Sequence, residues 1–240
     1  MQFSGTLQGA YSYFDAPKSH QGAFYANGSA LFALSDPGFN FQGNFNNANI
    51  SAFSNSGDSW GAGGDVFWRD HAGTIGANAT THSIPGGDYL SFDGFGQWYA
   101  SPEATVQIKG GWLSNRYDGP FASAGVVVYP MDLISLDLTA DYAKANNLGT
   151  QLKDVGLTAE YLPVPDLPVS LAVSYSRSRI DGLPLGSQLH GVTDRNDDIF
   201  GVAVKLYLGG GGGGNTLRDY QRNGPVYWDG APSNLLELAH

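Results

Sequence analysis

Between residues 3 and 208 the chain alternates apolar and polar side chains with period two, in runs of about nine to fourteen residues broken by Pro, Gly, Asp or Asn. Twelve runs can be marked, at 3–14, 22–34, 39–53, 60–69, 74–84, 88–100, 104–115, 121–129, 133–144, 152–162, 169–180 and 198–208. Strands of soluble proteins are mostly about five or six residues long, whereas strands that cross a membrane need about nine to eleven. In the last run Phe200, Val202, Val204, Leu206 and Leu208 share one face, and Gly201, Ala203, Lys205 and Tyr207 the other. In the ninth, Ile134, Leu136, Leu138, Ala140 and Tyr142 alternate with Ser135, Asp137, Thr139, Asp141 and Ala143. The third run slips phase at Asn46 and Asn47, which predicts a β-bulge there.

A soluble β-sandwich alternates too, so alternation alone does not select a barrel. Aromatic spacing separates the two folds. Phe24 and Phe32, like Trp60 and Trp68, stand eight residues apart on the apolar face. For a tilted strand that is roughly 20 Å along the membrane normal, close to the roughly 25 Å apolar band between aromatic girdles. Connections add a second discriminator. Asp36-Pro37-Gly38, Asp70 to Gly73, Ser101-Pro102-Glu103 and Pro130-Met131-Asp132 read as tight turns, and residues 15–21, 54–59, 116–120, 145–151 and 181–197 as longer loops on the opposite side.

Composition narrows the classes. Only 14% of residues are charged, against roughly 25% in soluble domains, while Gly (34 residues) and aromatics (13%) are abundant. The formal charge of −10 argues against nucleic acid, whose phosphates call for clustered Lys and Arg. No apolar run reaches the roughly 20 residues of a membrane helix, so a crossing must use strands, and strands cross lipid only in a closed barrel. Cysteine is absent, which removes disulfides and thiolate metal sites. An exported barrel needs a leader and none precedes Gln2, so the numbering is expected to begin after cleavage or at an added Met1.

The closing run Phe200-Gly201-Val202-Ala203-Val204-Lys205-Leu206-Tyr207-Leu208 is similar to the glycine-plus-alternating-apolar signal of bacterial outer-membrane β-barrels. Residues 3–208 resemble that class as a whole, without a subfamily. The resemblance implies an all-β protein: a transmembrane antiparallel barrel of about 12 strands over residues 1–208, in the outer membrane of a Gram-negative bacterium. In the class the signal usually ends the chain. Here residues 209–240 follow, a Gly-rich linker and an expected periplasmic tail.

Twelve strands fall between the eight that side chains fill and the sixteen that enclose an aqueous channel, so a narrow lumen is expected. The inward phases hold Asp65, Arg69, Asp93, Lys109, Asp137, Asp141, Asp154, Glu160 and Lys205. Lys109 and Lys205 are expected to face the acidic strands nine and ten across the interior. Such charges can set the ion preference of a pore, or form a salt-bridge network that plugs it. The functional expectation is therefore a narrow, passive, porin-like channel for small solutes. The alternative is a structural or scaffolding barrel whose tail docks a partner protein in an envelope complex.

No catalytic residue, metal or cofactor is expected. His82 beside Thr80, Thr81 and Ser83 is the only local grouping suited to nucleophilic catalysis, and a rim residue is the better reading. His20, His82 and His190 all fall on the long-loop side, but only loop folding could gather them into a metal site. Asp194 to Asp198 lacks the Gly and Glu of a calcium loop, with Ile199 and Lys205 at those positions, and reads as a solvated loop. Arg116, Arg177, Arg179 and Arg195 at the outer rim suit lipopolysaccharide phosphates, and outer-membrane lipid is the partner of the belt. In the tail, Leu217, Tyr220, Tyr227, Trp228, Leu235 and Leu236, with a short helix at Leu235 to Ala239, suit docking. Residues 215–240 are expected to be held by a periplasmic or outer-membrane partner, or a neighbouring copy, more than by the barrel's own lumen.

Overall fold

The computed structural model describes residues 2–16, 19–34, 37–49, 58–84, 87–165, 167–182, 194–209 and 215–226. Twelve antiparallel strands form one closed barrel: β1 (Gln2–Ala16), β2 (Ser19–Ala33), β3 (Gly38–Asn49), β4 (Asp58–Arg69), β5 (Gly73–Ile84), β6 (Gly87–Ser101), β7 (Ala104–Asn115), β8 (Gly119–Met131), β9 (Ile134–Ala145), β10 (Thr150–Tyr161), β11 (Val169–Asp181) and β12 (Asp194–Leu208). Each strand pairs with its sequence neighbours, and β1 closes on β12 from Gly5 opposite Leu208 to Asp15 opposite Asp198. A helix, α1 (Leu217–Asn223), follows the barrel.

The alternation sorts side chains between two environments. Leu7, Phe41, Ile108, Leu138, Leu157, Val173 and Val204 project outward and are exposed on the protein's outer surface. A continuous apolar surface of this kind is unfavourable in water and is satisfied by acyl chains. Outward aromatics cluster near the strand ends. At the terminal end, where β1 begins and β12 finishes, Phe3 meets Phe32 with ring centroids 5.5 Å apart, and Phe39 meets Trp68 at 5.1 Å. Toward the opposite, loop side, Tyr11 lies 4.9 Å from Phe24, and Tyr175, midway along β11, lies 5.1 Å from Phe200.

Three local expectations are corrected. No bulge occurs at Asn46 and Asn47: β3 pairs without interruption from Phe24 opposite Asn49 to Ala33 opposite Asn40, and from Gly38 opposite Arg69 to Asn49 opposite Asp58. The Asn-rich stretch puts polar side chains at successive positions of β3, so polarity carries no phase information there. Register shifts occur instead at Trp98/Ser101 and Val128/Met131, beside the tight turns. The strands also outrun their predicted ends, so β1 and β2 are separated by only two residues, and 194–197, read as loop, pair with β11 from Asp181 opposite Asp194 onward.

Leu157 sits mid-strand on the lipid face, between Leu138 and Tyr175. Leu157→Arg is expected to destabilise the inserted barrel by about 2–4 kcal/mol, the cost of a cation near the bilayer midplane. Urea unfolding from lipid vesicles measures it, and an unchanged midpoint would show that this face does not meet hydrocarbon.

Candidate functional site

The inner face encloses a cavity of about 390 Å³. Its middle is polar, since Ser, Thr, Asn and Gln take most inward positions and leave room for water. Six carboxylates line it, Asp65, Asp93, Asp137, Asp141, Asp154 and Glu160, against three cations, Lys109, Lys205 and Arg222. Asp65 accepts from Asn78 at 2.7 Å and from Asn44. Asp141 and Asp154 stand directly opposite each other on β9 and β10, with Ser178 donating to Asp154.

Lys205 meets one of the two acidic strands, reaching Glu160 of β10 at 2.9 Å across β11, whereas Lys109 pairs with Asp93 on the adjacent strand β6, Nζ to Oδ2 3.5 Å. Local pairing wins because a lysine chain reaches neighbouring strands but not the far wall, and a buried charge must be compensated nearby. Glu160 is a hub: it also accepts from Tyr207 at 2.5 Å, from Gln221 at 3.1 Å and from Ser170.

The loop end of the lumen is apolar instead. Phe14, Tyr89, Leu113, Phe121, Leu152 and Ile180 point inward and are buried in one contiguous cluster. Above it, Arg195 turns inward to Asp197 at 2.5 Å rather than outward to lipopolysaccharide, while Arg177 and Arg179 remain outside. Extending the phase of β12 backward through Ile199 would have placed Arg195 and Asp197 on the inner face; the charged composition masked that signal. The ring of His82 stacks on Tyr89, centroids 4.3 Å apart. His190 and the side chain of His20 lie outside the described residues, among which no cluster suited to a metal occurs.

The terminal end is occupied by the segment after the barrel. At Gly209 the chain turns back with φ +78°, and a Cβ there would meet the Phe3 carbonyl oxygen at 2.3 Å. Helix α1 is capped by Thr216, whose Oγ1 accepts from the Asp219 amide at 3.1 Å. Seven residues are too few for a stable isolated helix, so the wall must supply what holds it. Leu217 is fully buried with Leu162 and Tyr207, and Tyr220 stacks on Tyr207 at 4.9 Å. Arg222 donates to the Ser101 and Ala104 carbonyls at 2.7 and 2.9 Å and to Thr105 at 3.1 Å, while its guanidinium lies over Tyr99 and Tyr129. Arg69 grips the far end, donating to the carbonyls of Asn223 at 2.9 Å and Gly224 at 2.8 Å. Gln42 closes a two-way pair with the Val226 backbone, both distances 2.7 Å.

Of the tail residues singled out for docking, Leu217 and Tyr220 thus pack on this chain's own barrel, where the sequence favoured another protein. Tyr227, Trp228, Leu235 and Leu236, and the helix expected at 235–239, lie outside the described residues. Gln42, Tyr99, Tyr129, Gln221 and Arg222 were missed altogether.

No protein-family model and no curated protein sequence matches the chain. Solved structures do. The KdgM porin in complex with disordered oligogalacturonate superposes with TM-score 0.60 and 11% identity, over 83% of this chain and 98% of that one. The NanC porin gives 0.60 and 11% over the same shares, and an outer membrane channel from Pseudomonas putida F1 gives 0.55 and 11%, over 86% and 95%. The fold is that of the bacterial outer-membrane barrels. Its apolar belt is suited to a lipid bilayer.

Glu160→Gln removes the charge at the hub and is expected to cost about 3–5 kcal/mol, the usual loss when one member of a buried ion pair is deleted. Urea unfolding tests it, and adding Lys205→Met should recover part of the loss.

Proposed function

We propose that the barrel is a narrow passive channel for small solutes, uncharged or cationic, oriented with its terminal end toward the periplasm. The observation that carries this reading is the lining of the cavity, six carboxylates against three cations. Fixed carboxylates in a low-dielectric bore attract cations and repel anions. One of the similar structures is a porin in complex with oligogalacturonate, a polyanion. The acidic excess here argues against that class of solute, because its carboxylates would meet Asp137, Asp141 and Asp154. The apolar layer at the loop end narrows the choice further, toward solutes small enough to shed part of their hydration.

A second reading, a structural barrel with a closed interior, is favoured by one observation, the helix lodged in the terminal mouth. In that reading the charges of the lumen serve stability, and any partner of an envelope complex is recruited by residues 227–240.

The channel reading is tested by conductance of the refolded chain in planar bilayers under a salt gradient. Asp137→Asn with Asp141→Asn is expected to move the reversal potential toward zero by weakening cation preference. A reversal potential that does not respond would remove those carboxylates from the ion path.

A further inference from the structure

We propose that the terminal mouth of the barrel is a docking site for this chain's own residues 217–226, and that the docked segment is a plug that obstructs the lumen. The proposal deepens the channel reading and rests on it only for the consequence to conductance.

The placement of the contacts carries the argument. The segment is held by Gln42 of β3, Arg69 of β4, Tyr99 of β6, Thr105 of β7, Ser135 of β9, Glu160 of β10 and Tyr207 of β12. In the order of the closed barrel, β3 and β4 lie opposite β9 and β10, and β6 lies opposite β12. One segment that touches opposing walls along two directions spans the bore rather than lining one side of it. With its side chains a helix measures about 10–12 Å across, which is how it reaches all of them.

The mouth is also shaped for this occupant. Arg69 offers two donors to two successive backbone carbonyls, Asn223 and Gly224, the groups a helix leaves unsatisfied at its C-terminus. Gln42 presents its amide to both backbone groups of Val226, as a neighbouring strand would. Val226 itself is buried with Leu31, Phe67 and Phe95. Phe67 and Phe95 meet across Gly76, where a Cβ would lie 2.4 and 2.7 Å from them, so the glycine makes this seat possible. Four hydrogen bonds from two wall side chains to the segment's backbone are more than a terminus resting on a surface requires.

The absence of cysteine supplies a clean probe. Thr139→Cys places one thiol on the cavity wall. Its modification by a small cationic thiol reagent is followed in the full-length refolded chain, with the native tail and with Tyr220→Pro plus Arg222→Ala. Those two changes lie outside the strands, and unboiled gel mobility verifies that the barrel has folded. Bilayer conductance is recorded on the same samples. Labelling and conductance are both expected to rise several-fold in the tail variant. A synthetic peptide of residues 215–226 should reverse the rise in a saturable way. Arg69→Ala, which releases the helix from the wall side, should act in the same direction. Faster labelling without conductance in any form would leave the plug standing and refute the channel. Equal labelling and equal conductance with and without the tail changes would overturn the plug.

Discussion

Hydrocarbon offers no partner to a backbone N–H or C=O, and each group left open costs several kcal/mol. A strand finds its partners only sideways, so β1 must meet β12 as completely as it meets β2. The pairing from Gly5–Leu208 to Asp15–Asp198 fulfils that requirement. Once the ring is closed, each residue faces either lipid or lumen, and a slip of one position would exchange the two sets. The regular alternation of Phe200, Val202 and Val204 with Gly201, Ala203 and Lys205 is the sequence-level record of this constraint.

Closure creates a second problem, because twelve strands enclose more space than their small inward side chains fill. The structure divides that space lengthwise. At the loop end Phe14, Leu113, Phe121 and Leu152 narrow it with apolar bulk. In the middle Ser, Thr and Asn leave it open and polar, and charges are compensated by neighbours along the wall. At the terminal end the wall alone does not fill the mouth, and α1 completes it. A helix this short is ordered by the groups around it, so the wall and the segment specify each other: Arg222 finds its acceptors at the turn between β6 and β7, and Arg69 has carbonyls to grip only when the helix is seated.

What was legible in the sequence follows the range of the interaction. Strand number, order and facing are written in a local period of two, and all twelve runs were visible. The inward placement of Asp137 or Lys205 follows from the same period. Which inward charges meet is decided by strand stagger and side-chain reach, and no local pattern reports either; hence Lys109 beside Asp93 and not across from Asp141. Strand ends were read short because charged residues such as Arg195 and Asp197 look like loop, yet pair within a strand whose inner face holds them. The seat of the tail was the least legible feature, since Gln42 and Val226 are 184 positions apart and an amide in a strand gives no sign of waiting for a distant backbone.

The two sets of contacts that hold the molecule together also differ in how they can be undone. Leaving the belt would move its apolar side chains from lipid to water, at roughly 1.5–3 kcal/mol for each large residue, and nothing in water replaces what they lose. The plug is held mainly by hydrogen bonds from Gln42, Arg69, Gln221 and Arg222, with two buried apolar anchors, Leu217 and Val226. Its release exposes the mouth to water, which can take over each of those hydrogen bonds, so the net contribution of each is only about 0.5–1.5 kcal/mol for the neutral Gln42 pair and about 1.5–3 kcal/mol where Arg69, Arg222 or Glu160 takes part. The barrel is thus permanent because its medium cannot substitute for its pairing. The seat of α1 is exchangeable because its medium can, and a polar mouth around an apolar pair of anchors combines a defined closed position with a modest cost of leaving it.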